Sequence, residues 1–233
     1  MNRQAQAVVM LLFGGAVLKA GLTDIHLRYV KEGLRPFLLI AGALLVVAAV
    51  MTLYHELRPT GDAEHAHHEP RVGWLLILPV IGLLLVSPPA LGSYAAGQAG
   101  TALAGASSES EFGPLPPGDP VPLSLMSYAS RAVFDEGRSL SGRNLRLIGF
   151  VSTGPDGRPL LARITLACCA ADGRPVKVGL TGAVTVGAPA DSWVQVIGRY
   201  HRRVDKDPVN NAAVPYLEVT DWQRIPAPRK PYE

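Results

Sequence analysis

Cys168 and Cys169 stand side by side, and Asp172 follows three residues after the second. Thiolate and carboxylate groups are ligands for zinc and related divalent ions. The run Leu160 to Cys169 reads as a β-strand, on which successive side chains point to opposite faces. Ile164, Leu166 and Cys168 then share an apolar face, and Arg163, Thr165 and Cys169 share a more polar one. On that reading Cys168 is a small core residue. Cys169 is an exposed thiol whose thiolate form Arg163 favours. A bulge ahead of Asp172 would bring both sulfurs to one side, which opens the way to a vicinal disulfide or a two-thiolate metal site. Cys168 and Cys169 are therefore a candidate thiol pair; the competing reading is a buried Cys168 and an incidental Cys169.

A second group of metal-type ligands is His65, His67 and His68, with Glu64 and Glu69 beside them. Imidazole and carboxylate suit zinc, so a divalent metal is the one cofactor these residues suggest; a solvated polar loop is the competing reading. Arg199, Arg202 and Arg203, with Tyr200 and His201 between them, form a basic patch at a strand end. Such a patch could face phosphate or an acidic partner, or be simply solvated. The formal net charge is only +3, and no aromatic stacking platform accompanies the arginines. Nucleic acid is not expected as a partner. No phosphate-binding glycine loop, G-x-S-x-G elbow or H-E-x-x-H pair occurs, and the chain reads as a non-enzyme.

The elements that must carry these groups fall into two halves. Mean hydropathy is +0.20 over 233 residues, above the range of most soluble domains. The excess lies in the first half. Three transmembrane helices are expected, at about 5–22, 37–54 and 72–90, within a membrane region 1–92. The second is apolar from Phe37 onward and at 1.5 Å per residue spans roughly 27 Å, close to a hydrocarbon core of about 30 Å. A cleaved signal peptide competes for the first, but Lys19 spoils the small-residue cleavage pattern. Lys19, Arg28, Lys31 and Arg35 lean the first loop to the cytoplasm, which puts the C-terminal domain there too.

Residues 93–122 read as a small-residue and Pro-rich linker. Gly92, Ala96, Gly100 and Ala104 recur at helical spacing, and prolines crowd positions 114–122. The domain 123–233 opens on a helix from Leu123 to Asp135, with Ser124 as N-cap and Gly137 as stop. Five strands follow, at Leu145–Ser152, Leu160–Cys169, Val176–Leu180, Ser192–His201 and Tyr216–Ile225, separated by turns such as Gly154-Pro155-Asp156-Gly157. The expected class is α+β: membrane helices, then a mainly-β, five-stranded OB-like small barrel with one leading helix.

The stretches Leu147-Ile148-Gly149-Phe150-Val151, Arg163 through Asp172 with its Cys-Cys-Ala-Ala-Asp run, and Trp193 through Gly198 resemble the YcgQ-like family of bacterial membrane proteins. The resemblance implies a permease subunit, multi-pass in the cell membrane, paired with a larger integral membrane permease and embedded in the lipid bilayer, and it marks Cys168, Cys169 and Asp172 as one candidate ligand or thiol cluster. The function so implied is a non-enzymatic accessory subunit of a transport system, whose β domain binds a ligand or partner. The alternative is a membrane-tethered thiol or metal-binding protein acting through Cys168 and Cys169.

Overall fold

A computed structural model describes residues 3–57, 89–105 and 112–233. The chain divides into two compact units, Met1–Pro89 and Ala90–Glu233.

In the first unit, α1 (Arg3–Leu22) and α2 (Arg35–Leu57) pack as a hairpin. Their sequences explain how. Ala7, Gly14 and Gly21 recur every seven residues on α1, Gly42 and Ala49 do so on α2, and all five are buried. A Cβ at Gly14 would lie 3.0 Å from the Gly42 carbonyl oxygen, so the backbones touch where side chains are absent. The Arg35 Nε donates to the Gly21 carbonyl at 2.9 Å, satisfying an orphan acceptor at the end of α1. Among the described residues one helix, Glu32–His55, is long and apolar enough to cross a membrane, and Gln6–Leu22 is an apolar helix of lesser length. That corrects the expectation of three. The first expected span forms a helix whose apolar part, Gln6–Leu22, is the shorter one, and the third lies almost wholly outside the described residues. By length and composition, a helix so near the amino terminus fits a membrane span or a signal sequence equally.

The second unit is a closed barrel. Its strands are β2 (Leu145–Thr153), β3 (Pro159–Thr165), β4 (Arg174–Thr181), β5 (Trp193–Lys206) and β6 (Ala213–Arg224). A two-residue strand β1 (Val121–Pro122) joins the edge of β2. The order β2-β3-β4-β6-β5 closes through β2–β5 pairing, and β4–β6 is the one parallel contact within the ring. This is the expected α+β class with a closed barrel of five strands. Leu145, Leu147, Leu161, Val176, Val194 and Leu217 fill the interior.

Two short helices flank the barrel. Helix α4 (Leu125–Phe134) sends Leu125, Tyr128 and Ala129 into the same core. Ser124 caps it, its Oγ accepting from the Ser127 N–H at 3.0 Å, and Gly137 follows at φ +69°, a conformation glycine adopts without strain. The buried Tyr128 hydroxyl donates to the Tyr216 carbonyl at 2.5 Å, and burial pushes its phenol well above the ordinary range. Helix α3 (Ser93–Gln98) packs Ala96 against Phe150, Ala162 and Ile164 on the opposite side of the sheet. Part of the segment expected to be a spacer thus belongs to the folded unit, because Thr101 and Leu103 are buried as well. Helix α3 ends at Gln98, so Gly92, Ala96, Gly100 and Ala104 do not share one helix.

Candidate functional site

Strand β3 stops at Thr165, short of the expected Cys169, and its last ladder pair is Thr165 with Arg174. What stops it is Asp172. Its carboxylate accepts the backbone N–H groups of Ala167 at 2.8 Å, Cys168 at 2.7 Å and Cys169 at 3.1 Å. Amides held this way cannot join a strand ladder. The Asp172 N–H donates back to the Cys169 carbonyl at 3.0 Å, and Ala170–Asp172 form a single tight 3-10 turn. The cysteines therefore sit on a loop, not on a strand. Cys168 is exposed instead of facing the Ile164 and Leu166 core, and Cys169 is half-buried.

The loop brings Cys168, Cys169 and Asp172 together. One ligand atom from each lies within 4.8 Å of the other two. The Cys168 thiol donates to the Asp172 carboxylate, with the Cys169 thiol beside it, and this pushes its pKa up to about 11. The same bond, with the backbone amides of Cys169, Cys168 and Ala167, holds the Asp172 carboxyl well below the usual carboxylate range. At neutral pH Cys168 is a protonated thiol beside an ionised carboxylate, a poor nucleophile until something displaces the proton. Arg163 does not serve as the expected thiolate partner. Its guanidinium lies 5.6 Å from the Trp193 ring centroid, donates to the Lys230 carbonyl at 3.0 Å and pairs with Glu233 at 3.7 Å.

The carboxyl-terminal tail holds the loop's base. Leu166 N–H donates to the Glu233 carbonyl at 3.1 Å and Glu233 N–H to the Ile164 carbonyl at 2.9 Å. The Glu233 carboxylate also accepts the first free N–H groups of α4, from Leu125 and Met126.

Sequence reasoning missed a buried ion pair. Lys177 Nζ lies 2.7 Å from Asp207 Oδ2 and donates to the Ala99 carbonyl at 2.8 Å, while Asp207 accepts the Thr101 N–H at 3.2 Å. The pair floors a cleft of about 520 Å³ between the β2–β3 and β5–β6 turns, lined also by Ala96, Pro155, Leu160 and Tyr216. The available signal was Lys177 between Val176 and Val178 in a strand, a charge where the run is otherwise apolar.

The three arginines do not act as one patch, and two of them take separate partners. Arg199 donates to Asn144 at 3.0 Å, Arg202 is exposed, and Arg203 pairs with Asp205 at 2.6 Å above the Tyr216 ring. His65, His67 and His68 lie outside the described residues.

Residues 131–233 match the family model of the DUF1980 C-terminal domain. The matched segment takes in the five barrel strands, the Cys168–Asp172 loop and the tail. The helical hairpin lies outside the DUF1980 segment, and the match brings no catalytic family to the chain. No curated protein and no solved structure matches.

Proposed function

We propose that the chain is an accessory subunit of a membrane transport system, multi-pass in the cell membrane, that acts by binding beside an integral permease and catalyses no reaction itself. The observation that carries this reading is the inverted packing of the hairpin. Its touching faces hold alanine and glycine, while Phe37, Ile40 and Leu44 on α2 are about three-fifths exposed. Water penalises such a surface, and a bilayer does not. A small barrel with a cleft between its turns is a binding module by construction. The resemblance to YcgQ-like permease subunits agrees with both parts.

The test uses the full chain in membranes. Washing with alkaline carbonate should leave the protein in the pellet, and detergent extracts should yield it together with a co-expressed multi-span permease in a fixed ratio. Release by carbonate removes the membrane anchor from the reading. Retention without co-elution removes the accessory role.

A further inference from the structure

The loop at the end of β3 has a use that neither the anchor nor the permease requires. Its three ligand atoms are already within 4.8 Å of one another. In tetrahedral zinc, bond lengths of about 2.3 Å to sulfur and 2.1 Å to oxygen set ligand-to-ligand edges of roughly 3.6–3.8 Å. Closing the difference takes about 1 Å, within reach of rotation about the two cysteine Cα–Cβ bonds.

The carboxylate needs no such movement. Three backbone N–H groups fix its position. A carboxylate offers about four lone-pair sites, and these three amides leave one free to face the two sulfurs grouped with it. Two sulfurs and one oxygen select a zinc-class ion over magnesium or calcium, which demand an oxygen shell.

We propose that Cys168 Sγ, Cys169 Sγ and one Asp172 oxygen bind a single zinc-class divalent ion and leave its fourth position open. Each thiol gives its proton to solvent as its sulfur lone pair forms the metal bond, and no electron is transferred. Cys168 is exposed and the other two ligands are half-buried, so the open position faces solvent. Such a site exchanges its ion, unlike a closed structural site with four protein ligands.

The full chain, reduced and metal-free in detergent, is titrated with Co²⁺ and then Zn²⁺. One Co²⁺ per chain should bind with a near-ultraviolet sulfur-to-cobalt charge-transfer band, and one Zn²⁺ should displace it. Cys168→Ser and Cys169→Ser should each remove most of that band and weaken zinc binding at least about 100-fold, with the far-ultraviolet circular dichroism unchanged. Replacing His65, His67 and His68 by alanine should leave the band and the zinc affinity within about twofold. Absence of the band in the unmutated chain overturns the proposal without recourse to any variant. So does one-to-one zinc binding that survives the Cys168→Ser, Cys169→Ser double substitution. A chain that co-elutes with the permease yet binds no metal sinks this inference alone, and one that binds metal but washes off the membrane sinks only the anchor.

Discussion

Asp172 acts chiefly on backbone amides, and that gives the loop a pH window. Its pKa is lowered by folding, so its contribution to stability is present above the unfolded value of 3.8 and is lost as pH falls below it. The Cys168 thiol is raised, so its contribution is present below the unfolded value of 9.0 and is lost as pH rises through about 11. Alkylation of Cys168 should therefore stay slow to about pH 9 and accelerate toward 11. Asp172→Asn, which removes the acceptor charge, should bring that acceleration to lower pH. An unchanged rate profile in Asp172→Asn would detach the thiol from the carboxylate. The second residue-scale prediction concerns Lys177 and Asp207, both buried. Removing one partner strands the other charge, so Asp207→Ala should cost about 3–5 kcal/mol in chemical unfolding. Asp156→Ala, which breaks the exposed pair with Arg158, should leave the unfolding midpoint where it was. Both ion pairs were equally visible as letters. Only the fold buries one, and the alternation that placed Cys168 in the core ignored a carboxylate four residues on.

At the scale of elements, local rules were sufficient where one residue decides. Ser124 caps α4 as its hydroxyl chemistry requires, while the helix ends at Phe134, ahead of the expected stop at Gly137, with Glu136 already at φ +50°. Strand existence was legible from alternation and turn residues, but strand ends were not. Strand β5 runs on to Lys206 because a bulge between His201 and Val204 lets it keep pairing with β6 beyond the basic run. Residues 93–105 looked like a spacer because they are small. Smallness instead lets Ala96 and Gly100 sit close against the barrel, where the Asn210 side chain fills the place of a Gly100 Cβ. The hairpin rests on the same principle. A Cβ at Gly42 would stand 2.9 Å from Leu18 Cγ, so Gly42→Leu should force α1 and α2 apart and cost roughly 1–3 kcal/mol. Gly15→Leu, at a position with open space, is the control. Equal midpoints for the two variants in detergent unfolding would show that the small-residue seam does not hold the hairpin.

For the whole molecule, the division into an apolar half and a β-rich half was legible because composition changes with the solvent each half meets. Closure of the barrel was legible only as a class: five strands and their spacing suggest it, but the parallel β4–β6 contact has no local signature. If the hairpin spans a membrane, charge gives an expected side for the barrel, and that side can be measured. Lys19, Arg28, Lys31 and Arg35 cluster about the turn between α1 and α2, which positive-inside bias assigns to the cytoplasm. Were 72–90 to form a further span after α2, the barrel would share that side. A cytoplasmic barrel keeps Cys168 and Cys169 reduced and available to a metal ion, whereas an external one exposes them to oxidation. Val209 is about half exposed on the β5–β6 turn, so a chain with both native cysteines changed to serine and Val209→Cys carries one accessible probe. A membrane-impermeant maleimide should label it only after intact cells are permeabilised. Labelling of intact cells would place the barrel outside and make a Cys168–Cys169 disulfide the state to test first.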